Sequence, residues 1–379
     1  MLVGMVAGEA SGDFLGAQLI QALRRRRPAL QFAGIGGPKM QAAGLDSWYS
    51  MERLAVRGYV EVLRAYPGLL RLRSALRRRL LSARPAVFIG VDAPDFNLTL
   101  EAGLKRQGVR TIHYVSPSIW AWRGGRIRRI AGAVDQLLAL FPFEEPLYRR
   151  AGIPCTYVGH PLADAIPPDV ATEWMRDQLK LPLGQRIYAL LPGSRQSELR
   201  FMADTFIRTA QLVAAQVSDV HFLVPLASRE TRNQFEDALY RAGATDLPAT
   251  ILFGHAREAM ACADAVLVAS GTASLEAALI GKPMVITYRM SPATWRLMSR
   301  MQYQPWVGLP NIIAQDFLVP ELIQAEATPE NLAQALINVS QDPAVLERLP
   351  QHFARMHALL RRDASERAAE AVLPWLAGR

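Results

Sequence analysis

The segment Gly90-Val91-Asp92-Ala93-Pro94-Asp95-Phe96-Asn97 gathers two carboxylates and an amide at the end of an apolar run, Ala86–Val91, that reads as a buried strand. A general base that takes a proton from an alcohol needs such a carboxylate, partly desolvated so that its pKa rises. Asp95 and Asp92 are the candidates, with Asn97 beside them. A turn or helix-cap role competes for Asp92, and spacing alone does not separate the readings. A second loop, Gly8-Glu9-Ala10-Ser11-Gly12-Asp13, follows the first strand. Glu9 there suits a sugar hydroxyl, and Ser11 and Asp13 are equally good helix N-caps. Its glycines, with Gly16, fall at spacing four, which is not the Gly-x-Gly-x-x-Gly of a dinucleotide fold.

Two further loops favour anions. Leu190-Leu191-Pro192-Gly193-Ser194-Arg195 runs from a strand through a tight turn into a helix that contains Glu198. Amides at the helix start and the fork of Arg195 suit a phosphate, and an ordinary turn with a solvent arginine is the competing reading. Ala269-Ser270-Gly271-Thr272-Ala273-Ser274-Leu275-Glu276 offers hydroxyls and amides for a diphosphate. Glu276 can accept from ribose hydroxyls, and a capping box fails for it because position 273 is Ala. Without a Walker lysine, the pair of loops points to a nucleoside diphosphate rather than to ATP hydrolysis.

His113-Tyr114-Val115-Ser116-Pro117-Ser118-Ile119-Trp120-Ala121-Trp122-Arg123 suits a sugar-stacking or acyl-lined wall, although paired tryptophans are mostly core. His113 itself reads as a satisfied buried histidine. His160 sits near Pro161, facing a ligand or capping a hinge. No His/Cys/Asp cluster has metal spacing, and no Gly-x-Ser-x-Gly elbow occurs. Cys155 and Cys262, far apart, exclude a disulfide scaffold and favour a reducing compartment.

These loops need rigid strands behind them. Short apolar strands alternate with helices from Leu2–Ala7 to Cys155–Val158, and again from Ile187–Leu191 to Pro283–Tyr288, with helix from Pro329 onward. That is an α/β chain of two doubly wound halves, joined near Gly159–Pro168, and 379 residues suit two domains. In such folds ligands lie at the carboxyl ends of the strands, where each of these loops falls.

Charge is unevenly spread. The net charge of +9 lies wholly in the first half, and Arg53–Arg84 carries nine arginines against one acid, Glu61. An anionic partner is implied. Pro67-Gly68 is expected to split this segment into two helices. Leu69, Leu72, Leu76 and Leu80 form a stripe flanked by Arg73, Arg77 and Arg79, and Val60, Val62, Leu63 and Tyr66 precede the break. A stripe so edged lies well in a membrane interface, although a helix covering a sheet has the same pattern. Nucleic acid is disfavoured, since no nucleic-acid motif or interleaved exposed aromatic accompanies the patch. Leu2–Ala7 has no basic flank for a signal peptide, and no apolar run reaches a spanning length, so a cytosolic protein with surface attachment is expected.

Taken together, the order and spacing of these loops, with Leu309-Pro310-Asn311, closely resemble the lipid-A-disaccharide synthase family over nearly the whole chain. The resemblance implies two Rossmann-like domains facing a central cleft, the glycosyltransferase B (GT-B) fold. Residues 1–163 would form an acceptor-binding, membrane-associating domain and 164–345 a UDP-sugar domain, with 346–379 crossing back to the first. It implies transfer of 2,3-diacylglucosamine from UDP-2,3-diacylglucosamine to 2,3-diacylglucosamine 1-phosphate, with inversion and without metal or cofactor. Asp95 would be the base, supported by Asp92, Asn97, Glu9 and Ser11. Ser194, Arg195, Ser270, Gly271, Thr272, Glu276 and Asn311 would hold the uridine diphosphate. The protein would sit peripherally on the cytoplasmic face of the inner membrane, its oligomeric state left open, a homodimer included.

Overall fold

A computed structural model of the chain describes residues 1–54, 59–117, 127–170, 172–181, 184–269, 271–299 and 305–377, with backbone alone at 59–66, 178, 293 and 297–299. It divides into two compact units, Met1–Asp164 with Leu360–Arg379, and Ala165–Leu359.

The first unit is built on parallel strands β1 (Leu2–Ala7), β2 (Gln31–Ile35), β3 (Leu45–Ser47), β4 (Val87–Val91), β5 (Arg110–Tyr114), β6 (Gln136–Ala139) and β7 (Cys155–Tyr157), in the order β3-β2-β1-β4-β5-β6-β7. Near-continuous burial of β1 and β4 reflects helices on both sheet faces. The winding reverses between β1 and β4, the place in an open parallel sheet where ligands meet the carboxyl ends of the strands. Only β3 was not legible as an apolar run in this half: it is three residues long and lies at the sheet edge.

Within the arginine-rich segment, Tyr59–Ala83 forms one helix, which runs through Pro67 instead of breaking there. Proline removes one backbone bond and crowds the preceding turn, but the turns beyond it are anchored by packing. Leu72, Leu76 and Leu80 are buried against Val6, Ile35, Phe88, Leu100 and Leu104. Leu72 and Leu76, expected to contact lipid, are thus core residues: the stripe faces the sheet. Leu69 is half-buried and Arg77 exposed, while Arg73 lies over the Phe96 ring at 5.9 Å. Val60, Val62, Leu63 and Tyr66 carry side chains outside the described residues.

The helix Ala364–Leu376 completes the first unit. Glu366 pairs with Arg25 and Arg26 of the helix Ala10–Arg26, and Glu370 with Arg26 at 2.8 Å. Arg110 donates to the Trp375 carbonyl at 2.7 Å. The helix Pro343–Leu360 belongs to the second unit up to Leu359, so the return expected from 346 begins at Leu360.

The second unit repeats the plan with β8 (Arg186–Leu191), β9 (Val220–Leu226), β10 (Ala249–Phe253), β11 (Ala265–Ala269), β12 (Met284–Tyr288) and β13 (Glu321–Ile323), ordered β10-β9-β8-β11-β12-β13. Here the winding reverses between β8 and β11. Among the described residues, no helix is long and apolar enough to cross a membrane.

Candidate active site

In the first unit, the loops after β1 and β4 pack together at the reversal point. A Cβ on Gly8 would lie 2.9 Å from the Ala93 Cβ, and one on Gly12 would lie 3.2 Å from the Val91 carbonyl oxygen. These glycines permit close approach of two loops. Asp92 and Ala93 then adopt φ of 53° and 44°, left-handed conformations that non-glycine residues avoid at about 1 kcal/mol or more each. Three features hold the turn. The Asp92 amide donates to the Tyr114 carbonyl at 2.8 Å, extending the ladder by one bond. Asn97 Nδ2 donates to the Asp92 carbonyl at 2.8 Å and to the Val6 carbonyl at 3.2 Å. Pro94 opens the next helix, Pro94–Lys105, with φ already suited to it. Asn97 is therefore a buried brace between the loop and β1.

The turn leaves Asp95 exposed in the helix's first turn and Asp92 half-buried. Burial pushes the Asp92 carboxyl above its usual range; the Ala93 amide and His113 hold part of that rise back, and Glu9 adds to it. Glu9 and Ser11 are exposed on the neighbouring loop. Asp13 does not cap its own helix. Its buried carboxylate accepts from the Lys39 and Met40 amides at 3.0 Å each, capping the helix Pro38–Ala42.

Beneath this turn His113, read from sequence as a buried histidine, meets a partner that sequence reasoning passed over. Glu101 Oε1 and His113 Nδ1 are 2.8 Å apart, both side chains fully buried. Glu101 shares the buried face of its helix with Asn97 and Leu104 at spacings of four and three. A carboxylate on that stripe is the signal that was available.

In the second unit the loop after β8 differs from expectation. Glu198 reaches back so that Oε2 accepts from the Ser194 amide at 2.9 Å and the Arg195 amide at 3.2 Å. The amides expected to greet a phosphate are engaged by the chain's own carboxylate. Gly193, at φ 131°, is needed here: a Cβ would fall 2.6 Å from the Glu198 Cβ. The Arg195 side chain is 61% exposed.

After β11, Gly271 takes φ 145°, accessible in practice only to glycine, and Thr272 opens the helix Thr272–Ile280. Thr272 is exposed; Ser270 lies outside the described residues. Glu276 Oε1 accepts from Arg257 Nε at 3.0 Å, and among the described residues its second oxygen has no hydrogen bond. Asn311 departs from its expected place on the nucleotide. It is fully buried, its Nδ2 donating to the Val319 carbonyl and Glu321 Oε1, its Oδ1 accepting from the Leu318 and Val319 amides. With that, its ordinary hydrogen-bonding capacity is used. It braces the segment 307–311, which Glu321 also holds through the Val307 and Gly308 amides.

His160 is a neutral cap. Its Nδ1 accepts from the Leu162 amide at 3.2 Å, and burial lowers its pKa to about 4. The stretch 118–126, with Trp120 and Trp122, lies outside the described residues. Among the described residues, no group of three or more His, Cys, Asp or Glu side chains is placed to hold a metal ion.

A family model described as lipid-A-disaccharide synthetase matches residues 3–372. The lipid-A-disaccharide synthase of Methylobacillus flagellatus is 55% identical over 374 residues, 99% of each chain. That of Aromatoleum aromaticum is 57% identical over 376 residues, covering 99% of this chain and 96% of the relative. Among solved structures, the UDP-GlcNAc 2-epimerase of Neisseria meningitidis bound to UDP-GlcNAc superimposes with a TM-score of 0.60 at 12% identity, covering 99% of both chains. MurG of Acinetobacter baumannii does so with 0.55 at 14% identity, over 98% of this chain and 99% of the other. At such identities the structural likeness speaks to fold alone: the α/β fold of two parallel sheets flanked by helices is shared with GT-B proteins.

Proposed function

The chain belongs to the lipid-A-disaccharide synthetase family, and from that membership we propose how it forms the lipid A disaccharide. It is a glycosyltransferase, and membership implies a UDP-sugar donor and a sugar acceptor. The donor is UDP-2,3-diacylglucosamine and the acceptor 2,3-diacylglucosamine 1-phosphate. The products are the β-1,6-linked disaccharide 1-phosphate and UDP.

Asp95 is the base. As the acceptor 6-oxygen forms its bond to the anomeric carbon, the carboxylate of Asp95 takes the hydroxyl proton. The bond from that carbon to the diphosphate oxygen breaks, and UDP leaves with the electron pair, inverting the centre. The observation that carries this reading is the strained Asp92–Ala93 turn at the reversal point, which sets Asp95 exposed on the first turn of a helix. Strain of this kind persists where the surroundings over-determine it, as at reactive sites. The half-buried Asp92, its carboxyl pushed up, favours a second reading in which Asp92 takes the proton.

On the second unit, Arg195, Ser194, Ser270, Gly271 and Thr272 receive the diphosphate. The exposed Arg195 fork and the helix start at Thr272 meet charge as it builds on the leaving group, where such donors act most strongly. The second oxygen of Glu276 accepts from ribose hydroxyls. Exposed Arg71, Arg77 and Arg78 of the helix Tyr59–Ala83 hold the enzyme peripherally on an anionic membrane face, each contributing roughly 1 kcal/mol near the surface.

The test is incubation with the UDP-sugar and the 1-phosphate acceptor. UDP release and disaccharide are expected, and no release removes the reading. Asp95→Asn is expected to bind UDP yet turn over at least about 100-fold more slowly, the usual weight of a general base. Full activity there, with loss in Asp92→Asn, transfers the role to Asp92.

A further inference from the structure

Arg257 and Glu276 stand on two helices of the second unit that pack together, and each helix begins at the carboxyl end of a strand. Arg257 lies in the first turn of the helix Ala256–Cys262, which follows β10. Glu276 lies in the second turn of the helix Thr272–Ile280, which follows β11.

The backbone is fixed at both positions. The Gly254 amide donates to the Leu226 carbonyl at 2.8 Å, carrying the ladder one bond past β10. Met260, Ala261 and Cys262 are buried in the next turn of the first helix. Leu275, Ala277 and Ala278 are buried around Glu276, and Ser274 Oγ donates to the Gly271 carbonyl at 2.8 Å. What remains to be settled is the two side chains, and they meet each other: Arg257 Nε donates to Glu276 Oε1 at 3.0 Å. Both are half-buried.

This bond has little structural weight. A partly exposed ion pair adds little to stability, and buried neighbours already hold both helices. Its effect falls on the carboxylate. A glutamate side chain free to rotate loses that freedom when a ligand arrives, and one held beforehand does not. With Oε1 held by a donor from the neighbouring helix, rotation about the last bond is arrested and Oε2 keeps one position. The planar guanidinium, on a helix of its own, is suited to such a fixed contact.

We propose that Arg257 is a positioning residue for ribose recognition. It fixes Glu276 so that the vicinal hydroxyls of the nucleotide meet a carboxylate already in place. It thereby sets a preference for a ribonucleoside diphosphate over one that lacks these hydroxyls. Arg257 acts through Glu276 and not on the nucleotide. The inference rests on Glu276 being the ribose acceptor.

The test compares UDP with 2′,3′-dideoxyuridine diphosphate by titration calorimetry on the full chain. The parent is expected to favour UDP at least about tenfold, the scale of a hydrogen bond to a charged acceptor. Glu276→Ala should bring that ratio near one. Arg257→Gln should lower it to about threefold or less. Whatever the variant does to the diphosphate acts on both ligands and cancels in the ratio. Arg257→Lys keeps the charge without the fixed fork, and should fall between Arg257→Gln and the parent. In the Glu276→Ala background, Arg257→Gln should not move the ratio further, since a residue acting through Glu276 then has nothing to act through. A general loosening of the fold would not discriminate between two ligands that differ only in two hydroxyls. An unchanged ratio in both Arg257 variants, with loss in Glu276→Ala, overturns the proposal and leaves the ribose reading standing. A further fall in the double variant overturns it too, because Arg257 would then touch the ribose itself. An unchanged ratio in Glu276→Ala defeats the ribose reading and the proposal with it.

Discussion

Glu198 Oε2 accepts a hydrogen bond from the Ser194 amide at 2.9 Å, so a carboxylate occupies the anion-favouring end of the helix Gln196–Gln216. A diphosphate arriving there meets a like charge. Glu198→Gln retains an acceptor oxygen but removes that charge, and is expected to tighten UDP binding by roughly tenfold, about 1.4 kcal/mol. Titration calorimetry with UDP checks it. Weaker binding would mean that Glu198 shapes the loop for the nucleotide more than it repels it.

Asp92→Asn should stabilise the protein and slow it. Because the folded-state pKa of Asp92 lies above its ordinary 3.8, ionisation costs stability. The cost is absent below the ordinary value and complete once pH has risen through the folded value. Asparagine also tolerates the left-handed conformation at φ 53°. Thermal unfolding at about pH 7 should show a higher Tm for the variant, with the gain shrinking towards about pH 4. A lower Tm at neutral pH would contradict it.

Asn311→Ala leaves the Val319 carbonyl, the Glu321 carboxylate and two amides without their partner. A loss of about 3 kcal/mol or more is expected in denaturant unfolding. UDP affinity of the folded fraction should change less than about threefold, well under the tenfold that 1.4 kcal/mol represents. A selective loss of UDP affinity at unchanged stability would restore Asn311 to the nucleotide.

His160 makes the fold acid-sensitive. Its pKa falls from 6.5 to about 4 on folding, so the unfolded chain binds a proton that the folded chain refuses in that window. Stability falls as pH drops through it, by roughly 3 kcal/mol in all. His160→Asn can still accept from the Leu162 amide and should flatten the decline. An unchanged slope between these pH values would place the acid sensitivity elsewhere.

The helix Tyr59–Ala83 can be split by function. Leu76→Ala should cost about 2–5 kcal/mol, as a fully buried leucine does, without altering vesicle binding. Replacing exposed Arg77 and Arg78 by Glu should leave Tm within a few degrees and weaken binding to anionic vesicles at low salt. Salt-insensitive binding, or none in the parent, would reduce these arginines to a solvated face.

Much was legible from sequence for a local reason. Runs such as Leu2–Ala7 and Ala265–Ala269 are apolar throughout because helices bury both faces of a parallel sheet. The punctuation after them marks the loops that carry chemistry. Asp92, Asp95, Arg195 and Gly271 stood out because glycine, proline and charge at the end of an apolar strand add little to packing.

What the chain alone left undecided depended on partners distant in sequence. Asn311 looked like a ligand residue until Val319 and Glu321 took its hydrogen bonds. Leu72 and Leu76 could have faced lipid or sheet; packing against Phe88 and Leu104 decided it. Glu101 and His113 meet only because a helix lies over neighbouring strands and Gly90 leaves space between. Local composition thus determined the strand-and-loop plan, since secondary structure and turns are set by near neighbours. Which polar groups remain to do chemistry was decided by the tertiary structure, since hydrogen bonds and burial are settled by whichever segments the fold brings together.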